Sequence, residues 1–76
     1  MIKKVILITG ASSGIGKESA QKLIAEEHKV YAAARRVDKM KDLEKLGATA
    51  IEMDITKDDD IINAVNTVIS AEGKID

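Results

Sequence analysis

The sequence predicts an α/β fold, a partial doubly wound parallel sheet in which the elements alternate as β-α-β-α-β-α and the strands lie in the order 3-2-1. Three observations predict it. Short apolar runs of strand length recur along the chain, each is followed by apolar residues at helical spacing, and a glycine-rich turn joins the first such pair. Because crossovers between parallel strands are right-handed, the first two helices should share one face of the sheet, and the third should cover the other.

The predicted fold is organised around the first strand and the glycine-rich turn that follows it. Residues 5–8 are four consecutive aliphatic residues followed by Thr9, which is typical of a strand buried on both faces of a parallel sheet. They lead into Gly10, Gly14 and Gly16, which allow a tight turn, a close ligand and close packing of the next helix, respectively. A helix that begins here directs free N–H groups and its positive dipole end to one place, which favours a phosphate or pyrophosphate.

The glycine-rich turn allows two other interpretations. A nucleoside-triphosphate loop, G-x-x-x-x-G-K-[ST], is excluded because Ala11 stands in place of its first glycine and Glu18 in place of its magnesium-binding hydroxyl. The other interpretation is a turn that only joins a strand to a helix. The apolar run before the turn and the helical pattern after it favour the binding loop.

Three helices are predicted from apolar residues at helical spacing. The first covers residues 14–27. The second is capped by Asp38 and ended by Gly47, and the third is opened by Thr56 and ended by Gly73. The residues expected to face the sheet are Ile15, Ser19, Ala20, Leu23 and Ile24 in the first helix, Met40, Leu43 and Leu46 in the second, and Ile61, Ile62, Val65, Val68 and Ile69 in the third.

Two further strands complete the pattern, over residues 30–34 and 48–53, and Asp54 closes the second of these. The alanines at 32–34 favour a helix by intrinsic propensity. Their place directly after a helix and before the basic pair at 35–36 favours a strand, because it completes a strand-helix-strand unit.

Composition indicates one small soluble globular unit over residues 1–76, with 45% hydrophobic and 33% charged residues. Twelve basic and thirteen acidic residues give a net charge of −1, which argues against nucleic-acid or membrane binding as the main task. The absence of cysteine is typical of the reducing cytoplasm, where we expect the protein. No metal site is predicted, because His28 is expected to cap the first helix at the surface and residues 58–60 point in different directions on a helix.

Arg35 and Arg36 follow the second predicted strand, at the sheet edge where the glycine-rich turn also lies. An enzyme that uses NAD places an acid there, about 20 residues beyond the loop, to bind the ribose 2′-hydroxyl. The corresponding residue here is the small Ala34, and two guanidinium groups follow it. Since a carboxylate would repel the 2′-phosphate of NADP and arginine would bind it, these residues indicate NADP(H). The alternative is a solvated arginine pair at the start of a helix.

The segments 9–16, 33–36, 53–55 and 73–76 together resemble the N-terminal part of an NADP(H)-preferring short-chain dehydrogenase/reductase. The resemblance implies a Rossmann-type fold and, in the whole protein, hydride transfer between NADP(H) and an alcohol or carbonyl compound. It implies that the glycine-rich loop contacts the pyrophosphate, the arginines the 2′-phosphate, and Asp54 and the Ile55 main chain the adenine. The cofactor-binding residues so implied are Gly10, Ser12, Ser13, Gly14, Ile15, Gly16, Arg35, Arg36, Asp54 and Ile55.

The sequence departs from this family in two respects. Ser13 stands where NADP-preferring relatives often have a second basic residue, and the family's catalytic Ser and Tyr-x-x-x-Lys are absent from these residues. Tyr31 is followed four positions later by Arg35 and is expected to be a packing residue. The 76 residues alone are therefore expected to be inactive, and a non-catalytic nucleotide-binding or self-assembling module is the alternative.

The first strand is also expected to form an open edge of the sheet, because the fourth strand of the family's fold is missing. Residues 5–8 would then present unpaired backbone groups, which favour pairing with another chain. The sequence therefore predicts self-association, through this edge or through an exchanged third helix, with a marginally folded chain as the alternative.

Overall fold

A computed structural model describes residues 3–12 and 14–76 of the chain. The elements are β1 (Val5–Thr9), α1 (Gly14–Ala25), β2 (Lys29–Ala34), a 3₁₀ turn (Val37–Met40), α2 (Lys41–Leu46), β3 (Thr49–Glu52) and α3 (Asp58–Glu72). The predicted alternation of strands and helices is confirmed. The first helix ends at Ala25 rather than near residue 27, because Glu27 adopts a left-handed backbone conformation (φ 67°).

The three strands run parallel in the order β1-β2-β3, which is the predicted order 3-2-1 read from the opposite edge. Leu7 of β1 lies beside Tyr31 of β2, and Ala32 of β2 lies beside Ala50 of β3. The carboxyl ends of all three strands consequently meet at one edge of the sheet. The α/β class with a parallel sheet is confirmed.

The core is built around β2, because residues 30–34 are all buried and alternate between the two faces of the sheet. Its even-numbered residues pack with the 3₁₀ turn and α2 through Met40 and Leu43. Its odd-numbered residues pack on the opposite side with α3, through Ala64 and Val68. The predicted placement of the third helix across the sheet from the first two is therefore confirmed.

Several residues predicted to face the sheet are exposed instead. Ile15 is 82% exposed, since it lies in the first turn of α1, beyond the end of the sheet. In α3 the buried stripe is Ala64 and Val68, and the isoleucines on its flanks are exposed because a three-stranded sheet is too narrow to cover them. The exposed residues among those predicted as buried are Ile15, Ser19, Leu46, Ile61, Ile62 and Ile69.

The predicted N-terminal caps of the second and third helices are wrong, whereas the glycines predicted to end these two helices are confirmed. No side-chain hydrogen bond caps the 3₁₀ turn, α2 or α3, so neither Asp38 nor Thr56 has the expected role. Gly47 and Gly73 end α2 and α3 with φ values of 118° and 82°, the left-handed conformation that glycine adopts readily.

His28 links the two strands rather than capping α1. Its Nδ1 accepts a hydrogen bond from the backbone N–H of Lys4 at 3.1 Å, and the side chain is only 12% exposed. The backbone N–H of His28 donates to the Leu23 carbonyl at 3.1 Å. The side chain thus fixes the start of β2 to the chain that enters β1.

The predicted open edge of β1 is wrong at its first residue. The N–H of Val5 donates to Asp76 Oδ2 at 2.7 Å, and the N–H of Asp76 donates to the Val5 carbonyl at 2.7 Å. Ile75 packs beside them against Val5, Tyr31 and Val68. Among the described residues, this contact pairs only the first residue of the outer edge, and self-association through the rest of β1 remains a prediction.

The contact between Asp76 and Val5 should depend on pH. The hydrogen bond from the Val5 N–H is the main reason why the pKa of Asp76 lies below its usual 3.8. The hydrogen bond from Lys74 lowers this pKa further. A lowered pKa means that the carboxylate stabilises the fold fully above that usual value, and that this contribution is lost as the pH falls through the lower pKa of the folded state. We expect the hydrogen-exchange protection factor of the Val5 amide to stay constant from pH 7 to about pH 4 and then to decrease.

The measurement is amide hydrogen exchange by NMR, with the amide of Ala32 in the central strand as the internal reference. Asp76→Asn should give low Val5 protection with little dependence on pH. A protection factor for Val5 that is the same in both proteins at pH 7 would contradict the assigned hydrogen bond.

Tyr31 is a buried packing residue, as predicted, but it also has a polar partner. Its hydroxyl donates to Glu72 Oε2 at 2.5 Å, and Lys29 Nζ lies 3.9 Å from the same oxygen. The hydrogen bond to Glu72, together with burial, raises the pKa of Tyr31 above 10.0. The tyrosine therefore attaches the end of α3 to the middle of the sheet.

Candidate functional site

A cleft of about 420 Å³ opens at the edge where the carboxyl ends of the strands meet. In parallel α/β sheets, ligands bind outside the carboxyl ends of the strands. The cleft receives residues from the loop after β1, from the end of β2 and from the segment after β3. The lining residues are Gly10, Ser12, Ala34, Arg35, Arg36, Met53 and Ile55.

The glycine-rich loop is held closely between β2 and α1. The N–H of Ala11 donates to the Ala33 carbonyl at 3.3 Å, which fixes the loop to the central strand. A Cβ atom at Gly16 would lie 2.5 Å from the Gly10 carbonyl oxygen, so α1 approaches the loop as closely as its backbone allows. At Gly10 (φ 66°) and Gly14 (φ 59°), by contrast, an added Cβ would meet no atom within 4 Å. The loop is therefore tight against α1 and open towards the ligand side.

The predicted loop residues separate into two groups. Gly10 and Ser12 line the cleft, whereas a second group lies in the first turn of α1 and is not part of the cleft lining. Ser13 lies outside the described residues. The loop residues in this second group are Gly14, Ile15 and Gly16.

The two arginines lie at the mouth of the cleft, directly after β2. Their side chains are 76% and 64% exposed. Arg35 Nε is 3.8 Å from Asp54 Oδ2, and Arg36 Nε is 3.5 Å from Asp38 Oδ1. Ala34, where an acid would select a ribose 2′-hydroxyl, is buried in the wall. The cleft thus presents two long, exposed cationic side chains to an incoming anion. No carboxylate stands at the end of β2.

Asp54 lies beside Arg35 and is held in a defined orientation by Thr56. Its Oδ1 accepts the Thr56 hydroxyl at 2.6 Å and the Thr56 N–H at 2.9 Å. These bonds, with a smaller contribution from Arg35, lower the pKa of Asp54 below 3.8, so the group is a carboxylate at neutral pH. Because Oδ1 is occupied by Thr56, Oδ2 is the oxygen with capacity for a donor from a ligand.

Two residues of this site were not predicted from the sequence. The sequence predicts Thr56 as a helix cap and Asp60 as a solvated acid, but Thr56 binds the Asp54 carboxylate and Asp60 Oδ2 accepts the N–H of Asp54 at 3.0 Å. Asp60 lines a smaller polar cleft of about 150 Å³, together with Arg35, Asp54 and Lys57. The signal for Thr56 was available, since an Asp whose carboxylate accepts the N–H two residues later is a common turn.

Within residues 3–12 and 14–76, no three His, Cys, Asp or Glu side chains are grouped as they would be around a metal ion. None of the helices in this part of the chain has both the length and the apolar character needed to cross a membrane.

The sequence model of the short chain dehydrogenase family matches residues 4–76. The mitochondrial borneol dehydrogenase of Lavandula x intermedia is 42% identical over 74 residues, an alignment that covers 96% of this chain and 29% of that enzyme. The chain spans between 23% and 32% of the length of seven curated relatives that it matches.

Solved structures show the same fold. The 3-ketoacyl-(acyl-carrier-protein) reductase of Brucella melitensis, complexed with NADH, superimposes with a TM-score of 0.88 at 36% identity, over 96% of this chain and 31% of that one. A metagenomic short-chain oxidoreductase in complex with NADP gives a TM-score of 0.89 at 32% identity, over 96% of this chain and 36% of that one. Together with the family match, the parallel sheet and the glycine-rich loop at its carboxyl edge establish that the chain belongs to the short-chain dehydrogenase family.

Proposed function

We propose that these residues bind the adenosine 2′-phosphate half of NADP(H), within an oxidoreductase that transfers hydride between this cofactor and an alcohol or carbonyl compound. The proposal rests mainly on Arg35 and Arg36 at the mouth of the cleft, beside the buried Ala34. Charge-assisted hydrogen bonds from guanidinium groups are among the strongest contacts to phosphate. A cytoplasmic location is part of the same proposal.

The described residues fit such a cofactor. The free N–H groups at the start of α1 and the open space at Gly10 and Gly14 suit a pyrophosphate, because ligand oxygens approach there without meeting a side chain. Asp54 Oδ2 suits the amino group of adenine, and the segment at Ile55 suits the face of the ring. In this arrangement the cofactor lies across the carboxyl ends of the strands, which is the usual place in this class of sheet.

The preference for NADP(H) over NAD(H) depends on the arginines. The similar proteins of known structure include one with NADH and one with NADP, so membership of the family is compatible with either cofactor. A 2′-phosphate placed between Arg35 and Arg36 would replace the carboxylate partners that these side chains have in the free cleft. A 2′-hydroxyl would offer them much weaker compensation.

The bound cofactor would supply or accept the hydride. The contribution of this chain's residues is to hold the adenosine end, to neutralise the phosphates and to fix the direction in which the dinucleotide leaves the cleft. Fixing a reactant in one orientation is a large part of catalysis. The general acid and the groups that orient a carbonyl are expected elsewhere in the whole protein, because the family's Ser and Tyr-x-x-x-Lys are not among these residues.

The test compares binding of 2′,5′-ADP and 5′-AMP to the 76-residue chain by calorimetry or NMR titration. We expect 2′,5′-ADP to bind more tightly, and Arg35→Ala to weaken it by about tenfold or more, since a hydrogen bond to a charged group contributes about 1.5–3 kcal/mol. The affinity of Arg35→Ala for 5′-AMP should differ from the wild-type affinity by less than about twofold, because 5′-AMP lacks the 2′-phosphate and loses no hydrogen bond to Arg35.

The matched control is Lys41→Ala, which removes an exposed positive charge at the start of α2, outside the cleft lining. It should leave both affinities unchanged. Equal affinity of the wild-type chain for the two nucleotides, or no effect of Arg35→Ala, would exclude a 2′-phosphate site at these arginines.

A further inference from the structure

Lys17 makes a contact that the binding of a nucleotide does not explain. It follows Gly16 in α1, and its Nζ lies 2.9 Å from Asp42 Oδ2 and donates to the Lys39 carbonyl at 3.2 Å. The side chain is only 27% exposed. The hydrogen bond from Lys17 is the largest cause of a lowered pKa at Asp42, so the partner is ionised at neutral pH. Lys17 thus joins α1 to the segment after β2.

The segment that Lys17 contacts is the one that bears Arg36. The N–H of Lys39 donates to the Arg36 carbonyl at 3.1 Å, which closes the 3₁₀ turn. Met40, at the end of the same turn, is completely buried. Lys17 and Met40 therefore hold the turn at two points, one from α1 and one from the core.

Lys17 is unsuited to direct contact with a phosphate. It is not among the residues that line the cleft, and its ammonium is already engaged by one carboxylate and one carbonyl. The carboxylate of Asp42 also neutralises its charge. What the contact does supply is a fixed distance between the start of α1 and the turn that follows Arg36.

We propose that Lys17 is a positioning residue for recognition of the 2′-phosphate, acting through Asp42 and the Lys39 carbonyl on the backbone that bears Arg36. This inference rests on the proposed function. The start of α1 holds the pyrophosphate and the arginines hold the 2′-phosphate, so a bound cofactor must satisfy both places at once. Fixing their separation before binding removes an ordering cost from the binding step.

The test uses the 76-residue chain and titrations with 2′,5′-ADP and 5′-AMP. Lys17→Met and Asp42→Asn should each weaken the binding of 2′,5′-ADP by about three- to tenfold, the range for one lost hydrogen bond. The affinity for 5′-AMP should stay within about twofold of the wild-type value. Lys17→Arg retains a cationic donor and should recover most of the affinity. Asn at position 42 also keeps the acceptor for the Leu43 N–H, which Asp42 Oδ1 receives at 3.0 Å.

The two single variants separate positioning from simple attraction of charge. If Lys17 acted on the phosphate by its charge, Asp42→Asn would release it and strengthen binding of 2′,5′-ADP, and that result would overturn the proposal. Lys22→Met is the matched control, since it removes the same charge from an exposed position in the last turn of α1. It should leave both affinities unchanged. Loss of 5′-AMP binding in Lys17→Met would show a general structural role and would also overturn the proposal.

A second measurement needs no nucleotide. Amide hydrogen exchange should show lower protection of the Lys39 N–H in Lys17→Met than in the wild type, because this N–H closes the turn that Lys17 holds. Unchanged protection would exclude the positioning role, even where the wild-type chain failed to distinguish 2′,5′-ADP from 5′-AMP. That latter failure would by itself concern only the proposed function.

Discussion

Gly16→Ala is expected to destabilise the fold and to abolish most nucleotide binding at once. The added Cβ would lie 2.5 Å from the Gly10 carbonyl oxygen, 3.0 Å from the Gly10 carbonyl carbon and 3.4 Å from Ala11 Cα. All three are backbone atoms, so no side chain is able to rotate away, and the loop or α1 must move. Forcing extra volume into a packed site usually costs about 1–3 kcal/mol, and occasionally more.

The free energy of unfolding is measured by urea denaturation, and the melting temperature by circular dichroism. For a domain of this size, each 1 kcal/mol lowers Tm by about 4–8 °C. Ser19→Ala is the control, because it places an alanine at an exposed position of the same helix without a clash. A Gly16→Ala protein with wild-type Tm and wild-type affinity for 2′,5′-ADP would show that α1 does not pack on Gly10 as described.

Leu43→Ala is expected to unfold a large fraction of the protein. Leu43 is completely buried against the even-numbered residues of β2, and its truncation leaves a cavity in the largest of the three hydrophobic clusters of the described residues. Such substitutions cost about 2–5 kcal/mol. Since native proteins are stable by about 5–15 kcal/mol, with small domains at the lower end, little stability would remain.

Leu46→Ala is the matched control, in the same short helix and with the same change of side chain. Leu46 is 54% exposed, so this substitution should change the free energy of unfolding by less than about 1 kcal/mol, as is usual at surface positions. Urea denaturation of both variants measures the difference. Equal destabilisation by the two substitutions would mean that α2 does not present Leu43 to the sheet.

The parts of the fold that follow from local sequence were predictable. The aliphatic run of β1 leads directly into the glycine-rich loop, and Gly47 and Gly73 end their helices in a conformation that glycine adopts readily. The strand β2 was predictable only from context, because its alanines favour a helix when taken alone. Each of these conclusions needed a pattern within a few residues or the order of elements along the chain.

The parts that depend on distant residues were not predictable. Helical spacing identified the apolar residues of α3, but only the width of the sheet decides that Val68 is buried while Ile62 and Ile69 are exposed. The same holds for Lys17, whose partners lie more than twenty positions away on another element. A periodic pattern shows which side of a helix is apolar, and it does not show how much of that side finds a neighbour.

For the candidate site, the sequence predicted which residues lie at the cleft, but not the hydrogen bonds and ion pairs among them. Arg35, Arg36 and the glycine-rich loop were placed at one edge because parallel strands end there, and the cleft lies at that edge. The contacts of Arg35 with Asp54 and of Asp54 with Thr56 depend on side-chain rotamers and on a turn after β3. Such contacts decide the charge and orientation of the site, and spacing in the sequence does not contain them.

The hydrogen bonds between Val5 and Asp76 join residues separated by 71 positions, so they close almost the whole chain into a single loop. Loop closure costs conformational entropy that rises with the logarithm of loop length. The entropic cost of this contact is therefore small only after the β1-α1-β2 unit has formed and shortened the loop that remains to be closed. We therefore expect this contact to form late in folding, with a φ-value near zero. Substitutions at Asp76 should accelerate unfolding and leave the folding rate almost unchanged, so this contact would determine how long the native state persists rather than how fast it forms.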